Sequence, residues 1–285
     1  MMWLSFAGKE IFRKKIVLVS CVLTLLFVLL YSFGLWNIAE HMEPSGQGAL
    51  QRAGDSVILL SLGLLFSQMI MAFLVFFATM GAVTGEIENG LLFAVLARPI
   101  SRWKVYLGKY AGYAVWMVLY SAVLFWCILL PAHYILHVPL VPEAAFKSFL
   151  LFVWMPLLLL PVSLLGSVYL PMLGNGVACA VLYGVSLFSG FVENVSHLGS
   201  AKPHPAIDTV AFLTSLLMPA NGIFHRMTYE LAGGANLPMI GGAANELGPF
   251  SPVNTPSAAF VVYSFAYLAL LLGWGCSAFT KKDIV

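Results

Sequence analysis

The chain has 285 residues, of which 61% are hydrophobic and only 9% are charged, and its formal net charge is +2. An average soluble domain carries about 25% charged residues, so this composition excludes a water-soluble globular protein. The apolar runs are continuous over about 20 residues and do not alternate with polar positions, which also excludes a membrane β-barrel. We therefore predict an all-α integral membrane protein.

Six apolar runs are long enough to cross a bilayer as helices. Lys109 lies in the first turn of the third run, where we expect its long side chain to snorkel toward the headgroups. No stretch has the composition of a separate soluble domain, so residues 1–285 are interpreted as one six-span membrane domain. The predicted spans are residues 16–36, 57–83, 105–131, 148–170, 176–192 and 257–279.

The basic residues are unevenly distributed between the two sides of the membrane. Most of the 14 lysines and arginines lie at the N-terminus, between spans two and three, or at the C-terminus. The positive-inside rule then places both termini in the cytoplasm, as an even number of spans requires. We predict a multi-pass protein of the cytoplasmic membrane. Between the fifth and sixth spans, residues 206–219 and 221–231 are too short to cross and predict interfacial or re-entrant helices.

The segment before the first span alternates apolar and basic residues. This pattern is typical of a helix that lies in the headgroup plane and contacts membrane lipid. We therefore predict an interfacial elbow helix at the N-terminus. Its characteristic residues are Trp3, Leu4, Ile11, Arg13, Lys14 and Lys15.

The cytoplasmic connection between spans two and three reads as a short helix. Glu86 and Glu88 lie near its first turn, where negative charge suits the helix dipole, and the helix must end before Pro99. Ser101 is then a suitable N-cap for span three. An apolar stripe on this helix fits either a groove on another protein or the lipid surface, and the residues leave both open. The stripe consists of Leu91, Leu92, Val95 and Leu96.

This connection resembles the intracellular signature of ABC-2 type permeases, the membrane subunits of type V ABC transporters. The N-terminal elbow, the piece 216–221 with Arg226, and the closing residues 279–284 resemble the same family. Within the family, the sequence resembles the sub-group found in NosY-like and antibiotic-export systems, and the resemblance implies an external hairpin of short helices before the last span. The signature residues are Gly85, Glu86, Glu88, Gly90, Leu92, Leu96, Arg98, Pro99, Ser101, Arg102, Gly108 and Lys109.

The resemblance implies that residues 88–97 form a coupling helix seated on a separate ATP-binding subunit. Two such subunits, which bind ATP and magnesium, would serve two permease subunits in a homo- or heterodimer. This chain would then hold no cofactor or metal, would not be an enzyme itself, and would not bind nucleic acid. The residues implied to couple to the ATPase are Glu86, Glu88, Gly90, Leu91, Leu92, Val95, Leu96, Arg98, Pro99, Ser101 and Arg102.

Individual charges in this connection have more than one interpretation. Glu86 and Glu88 could pair with basic residues of the ATPase. Arg98 and Arg102 could pair with acidic residues or lipid phosphates, or could simply anchor the chain at the cytoplasmic surface. His133 and His137 are four residues apart, but no tight ligand cluster accompanies them, so no metal site is predicted.

The near absence of charge within the spans argues against an ion-coupled transporter. We therefore expect ATP-driven export of a hydrophobic or amphiphilic substrate. Two alternatives stay open. One is a non-exporting family member that mechanically drives an extracytoplasmic partner, for example in metalloenzyme maturation. The other is a membrane-embedded enzyme, which would need polar residues converging at one depth.

Overall fold

A computed structural model describes residues 15–41, 49–88, 101–136, 141–199, 205–234 and 256–282. All regular secondary structure within these ranges is helical, which confirms the predicted fold class. The helices are α1 (Lys15–His41), α2 (Ala49–Thr79), α3 (Thr84–Glu88), α4 (Arg102–Leu136), α5 (Pro142–Tyr169), α6 (Met172–Gly199), α7 (Pro205–Leu217), α8 (Pro219–Gly234) and α9 (Ala258–Lys281).

Six described helical segments are long and apolar enough to cross a membrane. Each of the six predicted spans falls on one of these candidate segments, and the bent pair of α7 and α8 would add a seventh only if it crossed as one span. The helices extend past several of the predicted limits, because a helix can continue beyond the hydrocarbon core with polar flanking residues. The candidate spans are Leu18–Glu40, Ile58–Glu88, Arg102–Leu136, Pro142–Tyr169, Met172–Ser196 and Ala258–Lys281.

Helix α5 is the centre of the bundle and packs against α2, α4, α6, α8 and α9. It continues through Pro156 and Pro161 without ending. Because Pro161 has no N–H, the carbonyl of Leu157 loses its helical hydrogen-bond donor. The hydroxyl of Tyr110 on α4 donates to that carbonyl at 3.3 Å. A donor from a neighbouring helix thus replaces the missing backbone bond, as a transmembrane helix requires.

Two buried apolar clusters fill the interior, and α5 contributes to both. The cluster nearer the predicted cytoplasmic end includes Phe76, Val83, Tyr106, Leu164 and Phe279. The cluster in the opposite half includes Leu64, Phe125, Phe152, Ile223 and Met227.

Helices α1 and α9 lie at the edge of the bundle. Only 6% of the span in α1 and 11% of the span in α9 is buried. Thr24 on α1 and Tyr120 on α4 share a hydrogen bond of 2.6 Å, which holds α1 to the bundle. The remaining apolar surface of α1 and α9 faces outward, as expected for helices that contact lipid or another subunit.

Helices α7 and α8 form the predicted short-helix hairpin before the last span. They meet at a bend of 102°, and with 13 and 16 residues each is too short to cross alone. Helix α8 packs closely on α5, where the hydroxyl of Ser148 donates to the carbonyl of Met227 at 3.2 Å. The side chains of Ile223 and Phe224 are also buried. The second half of the hairpin is therefore an interior element of the bundle.

Candidate functional site

The second span is interrupted at residues 80–83, immediately before the predicted coupling connection. A broken helix leaves backbone groups without their usual partners, which is costly within a membrane protein. Three side chains from three other helices supply the missing hydrogen bonds. The pairs are Asn175 Nδ2 with the Met80 carbonyl at 3.0 Å, Lys109 Nζ with the Ala82 carbonyl, and the Val83 N–H with Ser167 Oγ at 2.9 Å.

Lys109 also forms a buried ion pair with Glu86 on α3. The two side chains are only 5% and 11% exposed. The prediction that Lys109 snorkels is wrong, because the ammonium finds acceptors in the bundle: the Glu86 carboxylate and the Ala82 carbonyl. Buried charges persist only when paired and hydrogen-bonded, and this pair meets that condition. The carboxylate of Glu86 is therefore engaged within the chain, whereas the sequence suggested a basic partner on the ATPase.

A polar network joins this break to the ends of α5 and α6. The Thr84 hydroxyl lies 2.9 Å from the carbonyl of Leu170, just after α5, and also contacts the carbonyl of Ser167. Asn175, near the start of α6, donates to the carbonyl of Ser163 at 2.9 Å. The hydroxyl of Thr79 donates to that of Ser163 at 2.8 Å. The break therefore cannot move without disturbing α5 and α6.

The last helix is tied to the same end of the bundle. Arg102, the first residue of α4, donates from Nη1 to the carbonyls of Lys282 at 2.9 Å and Thr280 at 3.2 Å. Lys282 in turn donates to the carbonyl of Val168 in the last turn of α5. The final carbonyls of a helix lack intrahelical donors, and these cations supply them. Arg102 thus contacts α9, in addition to the roles that the sequence suggested for it.

Only part of the predicted coupling site lies within the described residues. Glu88, the last residue of α3, and Ser101, just before α4, are both exposed at the two ends of the connection. Their neighbours Glu86 and Arg102 make the contacts given above. Outside the described residues lie Gly90, Leu91, Leu92, Val95, Leu96, Arg98 and Pro99 of the connection, and Trp3, Leu4, Ile11, Arg13 and Lys14 of the predicted elbow. Lys15 is the first residue of α1.

Asn175 and Ser167 belong to this site, although the sequence did not single them out. Both are fully buried polar residues. The available signal was a polar residue within or beside an apolar run, which in a membrane helix requires a partner. Their partners at the break of the second span lie more than 80 residues away along the chain, so only the tertiary structure identifies these contacts.

In the opposite half of the bundle, the turn of the hairpin is satisfied in a similar way. The carbonyls at the end of α7 need donors, because the last carbonyls of a helix have no partner within it. Hydroxyl groups from α6 and α9 provide them. The pairs are Tyr263 with the Leu216 carbonyl at 2.8 Å, Tyr267 with the Leu217 carbonyl at 2.6 Å, and Ser186 with the Met218 carbonyl at 3.4 Å.

Two of the cavities beside the hairpin are lined by residues of α8. One, of about 310 Å³, lies between α2, α6 and α8 and is mainly apolar. The other, of about 400 Å³, lies between α6, α7, α8 and the start of α9 and is more polar. Asn221 and His225 of α8 line both. Among the described residues no three histidine, cysteine or acidic side chains converge as a metal site would require.

A family model described as "ABC-2 family transporter protein" matches residues 11–187. No curated protein matches the chain significantly. The matched region contains the connection between spans two and three, Lys109, Ser167 and Asn175, and it covers more than half of the chain. Members of this family are membrane components that lack a nucleotide-binding domain and work with an ATP-binding subunit. The chain therefore belongs to the ABC-2 family of transporter proteins.

Proposed function

We propose that this chain is the permease subunit of an ABC exporter that moves a hydrophobic or amphiphilic substrate out of the cell. Two copies of a separate ATP-binding subunit would hydrolyse ATP, and two permease subunits would form the pathway. The observation that carries the proposal is the anchoring of the family's signature connection to the bundle through the buried pair of Glu86 and Lys109.

The anchoring supports a mechanism for coupling. Exposed Glu88 and the apolar stripe that follows it are the proposed contacts with the ATPase. Movement of this segment would pull on α3, which is held to α4 by the Glu86–Lys109 pair and to α5 by Thr84. Packed helices with fixed hydrogen bonds move as rigid bodies rather than deforming continuously. Closure of the two ATP-binding subunits would then tilt α2 to α6 and switch the pathway between its inward-facing and outward-facing states.

The exposed faces of α1 and α9 support a dimer within the bilayer. Helices with so little buried surface have room for lipid and for a second permease subunit, which is either a copy of this chain or a related one. The distribution of lysines and arginines supports a cytoplasmic location of both termini. The assignment to the NosY-like and antibiotic-export sub-group belongs to the same proposal and rests on the signature between Gly85 and Lys109.

The interior supports an apolar cargo. The buried charged residues of the described part, Glu86 and Lys109, pair with each other at the predicted cytoplasmic end. The membrane cavity beside α2 and α6 is lined largely by leucine and phenylalanine side chains. A hydrophilic solute would lose its hydration in such a site without compensation, whereas an apolar chain would not.

The test is the ATPase activity of the complex, isolated from its native membrane with the ATP-binding subunit that co-purifies with it and reconstituted in lipid nanodiscs. We expect amphiphilic compounds to stimulate ATP hydrolysis and small hydrophilic solutes to have no effect. Stimulation confined to hydrophilic solutes would contradict the proposed cargo. If no ATP-binding subunit binds the permease, this result would contradict the proposed function as a whole.

A further inference from the structure

A glutamine with no hydrogen-bond partner is buried in the mainly apolar second span. The side chain of Gln68 on α2 is 0% exposed, and neither Oε1 nor Nε2 of its amide forms a hydrogen bond with any described residue. A buried polar group without a partner is costly, and a membrane provides no water to replace the missing bonds. An apolar side chain of similar size would be more stable at this position. Gln68 therefore has a role other than stabilising the described conformation.

A tyrosine on the neighbouring helix adds a second group of the same kind. The hydroxyl of Tyr183 on α6 lies beside the Gln68 amide. It is also buried and has no hydrogen-bond partner among the described residues. If this hydroxyl turned to bond with the amide, a single O–H group would satisfy only one of the two amide atoms. The described residues therefore leave at least one amide atom of Gln68 without a partner.

Gln68 and Tyr183 lie at the inner end of the apolar cavity of about 310 Å³. The lining residues nearest the predicted cytoplasmic end are Met69 on α2 and Gly184 on α6. Gln68 and Tyr183 are their immediate neighbours in the chain. Toward the break of the second span, the ring of Phe76 packs edge-on against that of Tyr183, with 5.9 Å between the centroids. The two polar side chains therefore lie between the cavity and the break.

Separation of α2 from α6 would expose these two side chains to the cavity. Helix α2 packs more extensively on α4 and α5 than on α6. Val181, Val185 and Phe188 of α6 are exposed on the outside of the bundle, so an outward movement of α6 breaks no contacts of theirs. A Cβ atom at Gly184 would meet nothing within 4 Å, which shows that α6 is not closely packed at this level. A switch between inward-facing and outward-facing states requires a helix movement of this kind.

We propose that Gln68 and Tyr183 bind the head group of the exported amphiphile when α2 and α6 separate. This head group is uncharged and both donates and accepts hydrogen bonds, as a primary amide or a hydroxyl does. The inference rests on the proposed function, because it specifies the chemical class of the cargo. An amide can serve Oε1 and Nε2 of Gln68 at once. No aspartate, glutamate, lysine or arginine is among the described residues that line the cavity, so an ionised head group would lose its hydration without a counter-charge.

The test measures saturable binding of radiolabelled decanamide to the permease in nanodiscs, in complex with the ATP-binding subunit that co-purifies with it. Binding is measured without nucleotide and with a non-hydrolysable ATP analogue, because the site is open in only one of the two states. The competitor is 2-undecanone, in which a methyl group replaces the NH₂ group of the amide and removes both donors. We expect the ketone to compete about tenfold more weakly than unlabelled decanamide, since it leaves Gln68 Oε1 without a donor.

Variants of the two side chains separate a binding role from a structural one. Gln68→Leu should abolish the preference for the amide over the ketone. It should also raise the melting temperature, because it removes a buried amide that has no partner. Tyr183→Phe should weaken the binding of decanamide, whereas Tyr134→Phe makes the same chemical change at a tyrosine that is 72% exposed and should not affect binding.

Equal affinity of the amide and the ketone for the wild-type complex in both nucleotide conditions would overturn the inference, and this result does not depend on any variant. A Gln68→Leu protein that keeps the preference for the amide would overturn it as well. A lower melting temperature of Gln68→Leu would also do so, because it would show that the amide is bonded in the resting protein. If the ATP-binding subunit co-purifies but no preference for the amide appears, the inference fails and the proposed function stands.

Discussion

At the scale of single residues, the buried pair of Lys109 and Glu86 links the signature connection to the rest of the membrane domain. A lysine in the first turns of a transmembrane helix ordinarily extends toward the headgroups. Here the break at residues 80–83 leaves the Ala82 carbonyl free to accept a hydrogen bond from Lys109, and Glu86 follows about one helical turn later. The ammonium therefore turns inward.

Replacing Lys109 with methionine should destabilise the protein, because it leaves the Glu86 carboxylate buried without its cation. We expect a loss of about 3–5 kcal/mol in the free energy of unfolding, measured as a lower melting temperature in detergent. The double variant Glu86→Leu, Lys109→Met should recover most of this loss, since an apolar pair can replace a buried ion pair. Lys104→Met removes an exposed lysine of the same helix and should have little effect. Equal melting temperatures for all of these variants would contradict the buried ion pair between Lys109 and Glu86.

The pairing of Lys109 with Glu86 could not be predicted from the sequence. The apolar run and the position of Lys109 were clear, but the direction of its side chain depends on where α2 breaks and on which helix lies beside it. The contact of Arg102 with the end of α9 depends on residues about 180 positions away. Such contacts are decided by tertiary packing, for which a single sequence gives no local signal.

At the scale of secondary-structure elements, the hairpin of α7 and α8 is a sharp bend between two short helices. Two short helices that meet at 102° leave carbonyls without intrahelical donors at their junction. The hydroxyls of Tyr263, Tyr267 and Ser186 satisfy them. The geometry of the hairpin is therefore maintained from outside, by α6 and α9.

Removing one of these hydroxyls should weaken the hairpin. We expect Tyr263→Phe to lower the free energy of unfolding by about 0.5–1.5 kcal/mol, the usual net contribution of one hydrogen bond, because this bond is partly buried. Tyr134→Phe makes the same chemical change at a tyrosine that is 72% exposed and should be neutral. Thermal unfolding in detergent compares the two. A Tyr263 variant as stable as the Tyr134 variant would show that the hydrogen bond to Leu216 contributes nothing.

The contact of α6 with α8 makes a second prediction at this scale. Gly190→Ala would place a methyl group 2.7 Å from Asn221 Nδ2. The Asn221 side chain must then shift away from the Ser186 carbonyl to which it donates, so the melting temperature should fall. Gly184 lies earlier on the same helix α6, and no atom would lie within 4 Å of a methyl group added there. Gly184→Ala therefore serves as the control. If the two alanine variants have the same melting temperature, the close approach of α6 and α8 at Gly190 does not contribute to stability.

The elements themselves were largely predictable. Continuous apolar runs of about 20 residues correspond to spans because the bilayer sets their length. The same reasoning identified residues 206–219 and 221–231 as too short to cross, and they form α7 and α8. The burial of α8 against α5 was not predictable, because an apolar helix in a membrane protein can face lipid or protein with the same composition.

At the scale of the whole molecule, the described structure is a helical bundle whose two ends differ in character. The predicted cytoplasmic end joins the break of the second span to α4, α5, α6 and α9 through hydrogen bonds and an ion pair. The opposite half holds the hairpin and the cavities beside it. Force applied at the first end would reach the second through α5 and α6, which extend between them. This arrangement suits an ABC-2 permease driven by a separate ATPase.

The most direct test of this account is co-purification of the permease from its native membrane with an ABC-type ATP-binding subunit. Wild-type permease should retain the ATPase, whereas Glu88→Arg and Leu92→Asp should lose it, because they place a reversed charge and a buried charge at the proposed contact. Glu143→Arg reverses a charge at the opposite end of the bundle and should retain the ATPase. Equal recovery of the ATPase with every well-folded variant would show that this connection is not the coupling site and would contradict the account.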